Sequence, residues 1–470
     1  MENKQSLSVG RMFGYSLGTN IRVIENIFAF YFVYYLTTVA GVQPAAAGTI
    51  SSMVVLWAAI ISPIIGYFAD RPGRKRSFVL FTTIPIAVFL YLLFSSFDLG
   101  PTANIVYYVI VGMICYTLYY MFLVPYDSLG AELSEGYNTR TTMRGMCTAF
   151  IYISGIIGGT LTLFLQGQFA AQGMSSTKSW HMAVLFSCAL VVIAGIAAYV
   201  STKTIDRMPT TEQKLAMAES EEKPENFFKS YAGMVKIKPV MALVVFCLIY
   251  FTGTTFLATD VVYYGIYAIG LSEAAASLLF TVSTVATLIT IPIATPLLNK
   301  FGKKKILIAA LWVIIIFCCA IFVIGPRSFI CGWIIMIGYS ITNATVMIAA
   351  FSMLYDAADL VEFKTGSSKV GSAVGAFTFA MGIAQAIAYA TFGVVLQAGG
   401  YDAMAMEQSA SAIMTINLSA TIFPSIFIVL SMIALLFYKI DRKGYEALSV
   451  ALALKRKGKE YSTEGFEHLL

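Results

Sequence analysis

Three polar side chains interrupt the first long apolar stretch of the chain: Arg22, Glu25 and Asn26. At about 100° per helical residue they fall within an arc of about 100°, one polar face on an otherwise greasy rod. A charge at the centre of a bilayer costs roughly 2.5–3.5 kcal/mol to insert. A cation and an acid three residues apart therefore need each other or a water-filled cavity. Two uses fit. Either the three line a solute cavity, with Glu25 a proton carrier, or Arg22 and Glu25 form an internal ion pair that packs the helix. Asn20 points about 170° from the centre of that arc on a straight helix and is a further solute-contact candidate from a different side. Asp260, three residues before Tyr263-Tyr264, is the other isolated acid in an apolar run. It is either a second proton carrier or an interfacial acid near a helix end.

Tyr116, Tyr119 and Tyr120 share a helical face with Leu123. Phenol rings with hydroxyl edges suit the C–H faces and hydroxyls of a sugar, and they serve helix packing equally well. Trp57 carries the same two readings. The chain has only two histidines, His181 and His468, and neither supports a buried histidine relay. Its seven cysteines are scattered through apolar segments without metal-ligand spacing and read as small core residues. There is no nucleophile elbow, no phosphate-binding glycine loop and no His/Cys/acid cluster. Neither an enzyme nor a cofactor or metal site is expected.

The elements that must hold these residues follow from composition. Apolar residues make up 58% of the 470 and charged ones 12%, about half the charged share of an average soluble chain. Apolar runs long enough for a hydrocarbon core recur near 12–40, 45–68, 77–97, 104–125, 145–167, 180–201, 239–267, 273–298, 306–325, 328–354, 370–398 and 411–438. Each must be a helix, because lipid offers a backbone no other partners. An all-α membrane protein of twelve transmembrane helices is expected.

Lysines and arginines sort into alternate loops: Arg71, Arg74, Lys75 and Arg76, then Arg140 and Arg144, the central loop, Lys300 to Lys305, Lys364 and Lys369 and the tail on one side, with little beyond Lys178 and Arg327 on the other. The positive side is cytoplasmic, which puts both termini inside a plasma or bacterial inner membrane. The net charge of +6 then answers anionic lipid rather than nucleic acid. The N-terminus lacks the short apolar run and small-residue site of a removable signal peptide. The expected organisation is a six-helix bundle over 1–201, a cytoplasmic loop over 202–238, a second six-helix bundle over 239–438 and a cytoplasmic tail over 439–470.

Gly66-Tyr67-Phe68-Ala69-Asp70-Arg71-Pro72-Gly73-Arg74-Lys75-Arg76 is echoed six helices later by Pro296-Leu297-Leu298-Asn299-Lys300-Phe301-Gly302-Lys303-Lys304-Lys305. The first copy resembles the signature loop of the major facilitator superfamily, which implies two pseudo-symmetric six-helix bundles rocking about a midplane site, with Asp70, Arg71 and Arg74 helping to hold the cytoplasmic side shut. Residues 125–144 (PYDSLGAELSEGYNTRTTMR), 353–366 (MLYDAADLVEFKTG) and Tyr263 to Gly270 resemble the glycoside-pentoside-hexuronide to cation symporters, the melibiose permease-like branch. The resemblance implies uptake of a sugar or glycoside, a gate of Arg140 with Asp356, Asp359 and Glu362, and Lys364 near the cavity. It also marks a departure. Ala58, Ser62, Leu123 and Asn20 stand where that family has the acids of its second, fourth and first helices. Ala58 and Leu123 offer no oxygen to sodium, which wants several hard ligands, while hydroxyls of Ser51 and Ser62 remain on the face of Ala58.

The expectation is a transporter of a small sugar-like solute by alternating access, coupled to a proton rather than sodium or uncoupled, with a monomer as the default. Two alternatives stand beside it. One is a different solute class on the same scaffold, an organic anion favoured by Arg22 or a drug-like or lipid-like molecule. The other is a non-transporting sensor built on a transporter body.

Overall fold

The computed structural model describes residues 8–69, 75–97, 100–133, 137–203, 237–326, 329–365, 370–403, 405, 407–456 and 459–469. Asp70, Arg71 and Arg74, and the side chain of Arg140, lie outside the described residues. Among those described, regular structure is helical throughout. Eleven helices are long and apolar enough to cross a membrane. The twelfth, α1 over residues 9–38, escapes that criterion because it is built of five consecutive pieces: Val9–Leu17, a 3-10 turn Gly18–Arg22, Val23–Ile27, a π turn Phe28–Phe32 and Val33–Thr38. The remaining spans are α2 (Pro44–Ala69), α3 (Lys75–Leu93), α4 (Pro101–Leu133), α5 (residues 137–171), α6 (Ser176–Ser201), α7 (Lys238–Ala268), α8 (Glu273–Phe301), α9 (Lys303–Ile324), α10 (Phe329–Thr365), α11 (Val370–Ala398) and α12 (Ala410–Leu436). Twelve helices had been expected from the apolar runs, and the boundaries differ chiefly where α4 and α10 run on well past the apolar stretch. Arg442–Arg456 forms a thirteenth, amphipathic helix, α13.

The helices show the inversion that a lipid solvent imposes. Phe81, Ile84, Val323 and Leu436 are exposed around the outside, while Ser16, Thr37, Ser187, Ser340 and Ser431 are buried. Buried hydroxyls mostly donate to the carbonyl one turn back, as Ser340 does to Met336 (2.7 Å) and Thr252 to Leu248 (2.7 Å), so these small polar residues pack between helices with their donors met. Six cysteines are buried as expected; Cys319 on α9 is exposed.

Contacts divide the chain into two compact units. The first comprises Met1–Ser220 with Ala258–Thr284 and Tyr389–Ile416, and the second comprises Glu221–Leu257, Val285–Ala388 and Asn417–Leu470. In the first unit, α3 packs on α4 and α6, α2 on α4, and α1 on α6. In the second, α9 packs on α10 and α12.

Where α2 meets α11 inside the first unit, two glycines remove the side chains that would hold the backbones apart. A Cβ on Gly48 would lie 2.2 Å from the Tyr389 carbonyl oxygen, and one on Gly393 would lie 2.2 Å from that of Pro44. Both neighbours are backbone and cannot rotate away. Gly48→Ala and Gly393→Ala are each expected to destabilise the protein by ~1–3 kcal/mol, seen as a lower unfolding midpoint in detergent. Gly10→Ala, with nothing within 4 Å, should leave the midpoint unchanged.

Candidate functional site

The polar face of α1 is set by its contact with α4. Tyr15 and Tyr126 stack at 4.5 Å and exchange hydrogen bonds, the Tyr15 hydroxyl donating to the Tyr126 carbonyl (2.8 Å) and the Tyr126 hydroxyl to the Tyr15 carbonyl (2.6 Å). Thr19 meets the same Tyr126 hydroxyl at 2.9 Å. Gly18 permits the approach, since a Cβ there would sit 2.7 Å from the Tyr126 ring. The 3-10 turn from Gly18 to Arg22 then winds the chain more tightly than an α-helix. Its consequence is that Arg22 reaches Asp127, the residue after Tyr126: Nη2 lies 3.5 Å from Oδ2 of Asp127, and Nη1 lies 3.4 Å from Oε2 of Glu25.

Arg22, Glu25 and Asp127 are thus one cluster of two acids around one cation. Their side chains are 27%, 37% and 47% exposed, open enough to meet a solute yet close enough to hold one another. Asn26 donates to the Arg22 carbonyl at 3.0 Å, which seats it on the same turn. Tyr120 lies beside both Glu25 and Arg22, and the rings of Tyr116, Tyr119 and Tyr120 touch one another at 5.2–6.5 Å. Tyr116 and Tyr119 are buried and Tyr120 is part-exposed, so Tyr120 presents the accessible edge of the group. Trp57 donates to the Thr117 hydroxyl at 2.9 Å and is part-exposed on α2.

Asn20 is not brought to this cluster: it is 1% exposed and its amide donates to the Leu17 carbonyl. The positions that hold acids in the resembling family are closed to water too, with Ala58 at 3% and Leu123 at 6% exposure. The Ser51 hydroxyl donates to the Ala47 carbonyl at 3.0 Å, and Ser62 is part-exposed. Asp260 on α7 is fully buried, and neither carboxyl oxygen has a hydrogen-bond partner among the described residues.

The acids of α10 lie in the second unit. Asp356 is buried and pairs with Lys303 at 2.5 Å. The Tyr445 hydroxyl of α13 donates to Oδ2 of Asp359 at 2.8 Å, and the Lys303 ammonium also lies over the Tyr445 ring, 5.4 Å from its centroid. Lys455 of α13 donates to the Phe363 carbonyl at 2.6 Å. Glu362 is buried and Lys364 exposed on the same helix. The amphipathic tail helix is therefore docked onto the end of α10 that carries the acids. The sequence alone places these residues only in a cytoplasmic tail.

Three residues of consequence were not singled out from the sequence. Asp127 was in view, inside the PYDS stretch, but only the close packing of α1 on α4 reveals Arg22 as its partner. Lys303 was read as one of a run of loop cations. Glu273, at the start of α8, accepts a hydrogen bond from the Tyr34 hydroxyl at 3.0 Å, and nothing in the sequence pairs these two residues.

A chain of twelve membrane-crossing helices carrying a charged and tyrosine-rich face on α1 and α4 is a membrane transporter of the major facilitator fold. It belongs to the MFS/sugar transport protein family, whose model matches residues 14–442. It is similar to the isoprimeverose transporter of Lactiplantibacillus pentosus, at 24% identity over 88% of this chain and 84% of the relative. It is also similar to the sodium-dependent lysophosphatidylcholine symporter 1 of Xenopus tropicalis, at 22% identity over 97% of this chain and 91% of the relative. Among solved structures, a D-xylose-proton symporter superposes with a TM-score of 0.64 at 16% identity, over 92% of this chain and 98% of that one. Family and fold relatives are transporters, which agrees with the absence of enzyme motifs from the sequence.

An ion pair with one buried member loses most when the other is removed, because the buried one is left as an uncompensated charge; a fully buried pair would lose about 3–5 kcal/mol, and the part-exposed Lys303 makes this an upper bound. Lys303→Ala should therefore lower the unfolding midpoint sharply, and Lys303→Ala with Asp356→Ala should recover much of the loss. A double variant as unstable as the sum of the singles would show that the pair is not direct.

Proposed function

We propose that this protein carries a neutral, polyhydroxylated solute, a sugar or glycoside, across the cell membrane in symport with protons. The supporting observation is the Arg22–Glu25–Asp127 cluster. Two acids around one cation leave a formal charge of −1 and occupy donors of Arg22 on both sides, which disfavours an anionic solute and suits a partner that both donates and accepts hydrogen bonds. Sugar hydroxyls do both. Tyr120 and Trp57 add aromatic edges for the C–H faces of a ring. On this reading Arg22, Glu25, Asn26, Asp127, Tyr120 and Trp57 touch solute, Tyr116 and Tyr119 back them, and Asn20 shapes α1 from behind.

Proton coupling is supported by the same geometry. Sodium finds only apolar side chains at Ala58 and Leu123, whereas Glu25 is part-exposed within the cluster. Asp260 is buried with no hydrogen-bond partner for either oxygen among the described residues, so an ionised carboxylate there would be uncompensated by them. Glu25 and Asp260 are the coupling carboxyls of this proposal. The bias of lysine and arginine places both termini in the cytoplasm. On the family resemblance alone, we assign Asp70, Arg71, Arg74 and Arg140 and, from the second unit, Asp356, Asp359 and Glu362 a role in the cytoplasmic gate, and Lys364 a role near the pathway. We read the two six-helix halves as 1–201 and 239–438, joined by 202–238 and followed by the tail, 439–470.

A second reading, a lipid-like solute, is supported by the similarity to the lysophosphatidylcholine symporter. Uptake into proteoliposomes separates them. Radiolabelled pentosides and glycosides should accumulate under an inward proton gradient and not under a sodium gradient alone. Glu25→Gln should cut proton-driven accumulation at least tenfold, and Arg22→Lys, which loses the planar two-sided fork, should raise KM by about tenfold. Uptake of lysolipid but of no glycoside would overturn the solute assignment. Unaltered coupling in both Glu25→Gln and Asp260→Asn would overturn the proton route.

A further inference from the structure

Within the first compact unit, the lysine- and arginine-poor ends of α7, α8 and α11 are sewn to α1, α2 and α5. The Thr160 and Thr281 hydroxyls meet at 2.9 Å, and Gln397 accepts from the Ala45 amide at 3.1 Å. Gly167 lets α5 approach α8 so closely that a Cβ on it would lie 3.0 Å from the Ala274 amide nitrogen. Next to that contact stands Glu273, the first residue of α8. Its Oε1 accepts from the Tyr34 hydroxyl at 3.0 Å, and the Gln166 side chain faces the same carboxyl. Tyr263, Tyr267 and Tyr401 complete the ring. Tyr401 donates to the Tyr267 hydroxyl at 3.1 Å, Thr37 and Tyr263 share a hydrogen bond of 2.7 Å, and the Tyr263 ring lies 5.4 Å from those of Tyr34 and Tyr401.

We infer that Glu273, held by Tyr34, is a proton-operated latch of the outer gate: the gate closes with a proton on Glu273 and opens when that carboxyl is ionised.

The argument begins with what faces the carboxyl. From α1 it is Tyr34, from α5 Gln166, from the end of α7 Tyr267, and Tyr401 stands in the same group on the loop after α11. None of these is a base. Tyrosines titrate near pH 10 and glutamates near pH 4, so Glu273 is the only group of this set that changes charge in the acid-to-neutral range. Closing the gate half-buries the carboxyl among phenol rings. An ionised carboxylate loses hydration there with no cation to offset it among the described groups that face it, while the first turn of α8 supplies only a fractional positive charge. A protonated carboxyl has no such penalty and brings a hydroxyl to donate. Gln166 is 1% exposed and its side-chain oxygen is buried with no partner among the described residues. An amide can turn over to present its oxygen to a neutral carboxyl or its NH2 to a carboxylate.

The helices behind the latch are built to bend. π turns occur at Phe28–Phe32 of α1, Ile157–Leu161 of α5 and Tyr264–Ala268 of α7, all within this one unit. Each loosens the regular backbone ladder at a point where a helix can kink. The first two are clasped, the Tyr31 hydroxyl donating to the Gly159 carbonyl. A latch at the helix ends, with pliable turns beneath it, is what lets one protonation event release several helices together.

This inference rests on alternating access and on the orientation of the outer face, not on which solute is carried or which ion drives it. It is tested on the full chain in lipid nanodiscs without solute. Cys319 is replaced by serine, and nitroxide labels are placed at the exposed positions Gln172 and Ser272 that flank the α5–α8 contact. Pulsed electron resonance should show the short-distance population rising at least threefold from pH 8.5 to pH 5. Glu273→Gln should hold the short distance at every pH, and Glu273→Asp should keep the pH response. Tyr34→Phe should at least halve the short population at pH 5. A distribution independent of pH in the otherwise unaltered protein overturns the inference, as does a full pH response in Glu273→Gln. Should Glu273→Gln not fold, an unchanged short population in Tyr34→Phe overturns it as well. Uptake driven by sodium, or of a lipid, would sink the proposed function and leave this result standing.

Discussion

A polar group inside this protein either finds its partner within the protein or goes without, because the surrounding hydrocarbon has none to give. That constraint makes all the described regular structure helical and sends the side-chain hydroxyls of Ser340, Thr252 and Ser431 back to carbonyls on their own helices. It also means that an ionisable group in the membrane-spanning region is held at a cost, which named partners offset for Arg22 and Asp356 and which no hydrogen bond among the described residues offsets for Asp260. Arg22 has two, Glu25 and Asp127. Asp356 has Lys303.

The same constraint explains how α1 can carry the site at all. A straight α-helix would bring a fixed face to α4, whereas the 3-10 turn of residues 18–22 and the π turn of residues 28–32 rotate its two ends independently. The reciprocal hydrogen bonds of Tyr15 and Tyr126 fix one end against α4 and so deliver Arg22 to Asp127. Tyr31 and Tyr34 fix the other end against α5 and α8. Local irregularity, stabilised by tyrosine hydroxyls that reach backbone carbonyls and one carboxyl, converts a membrane span into a bracket between neighbours.

In the second unit, the same economy of partners ties the end of α10 to α9 and to the tail. Lys303, from the repeated cationic turn, holds Asp356, while α13 presents Tyr445 to Asp359 and Lys455 to the last turns of α10. A run of basic residues that looks like simple topology bias thus contains one lysine with a structural bond, and the tail helix is anchored by polar contacts as well as by the burial of Leu448, Ala451 and Leu452.

The sequence by itself determined the solvent, the twelve helices, the family and the acids absent from Ala58 and Leu123, because apolar run length, loop charge and short motifs are local properties of the chain. It also put Arg22, Glu25 and Asn26 on one face, since helical periodicity relates residues a turn apart. Tertiary structure alone decided that Asp127 is the second partner of Arg22, that Asn20 is turned into the core, that Lys303 takes Asp356, and that Tyr34 meets Glu273 across 239 positions of sequence. Those pairings depend on helix rotation, on 3-10 and π turns that break the regular period, and on glycines such as Gly18 and Gly167 that let backbones touch. None of these leaves a periodic signal that a sequence pattern could carry.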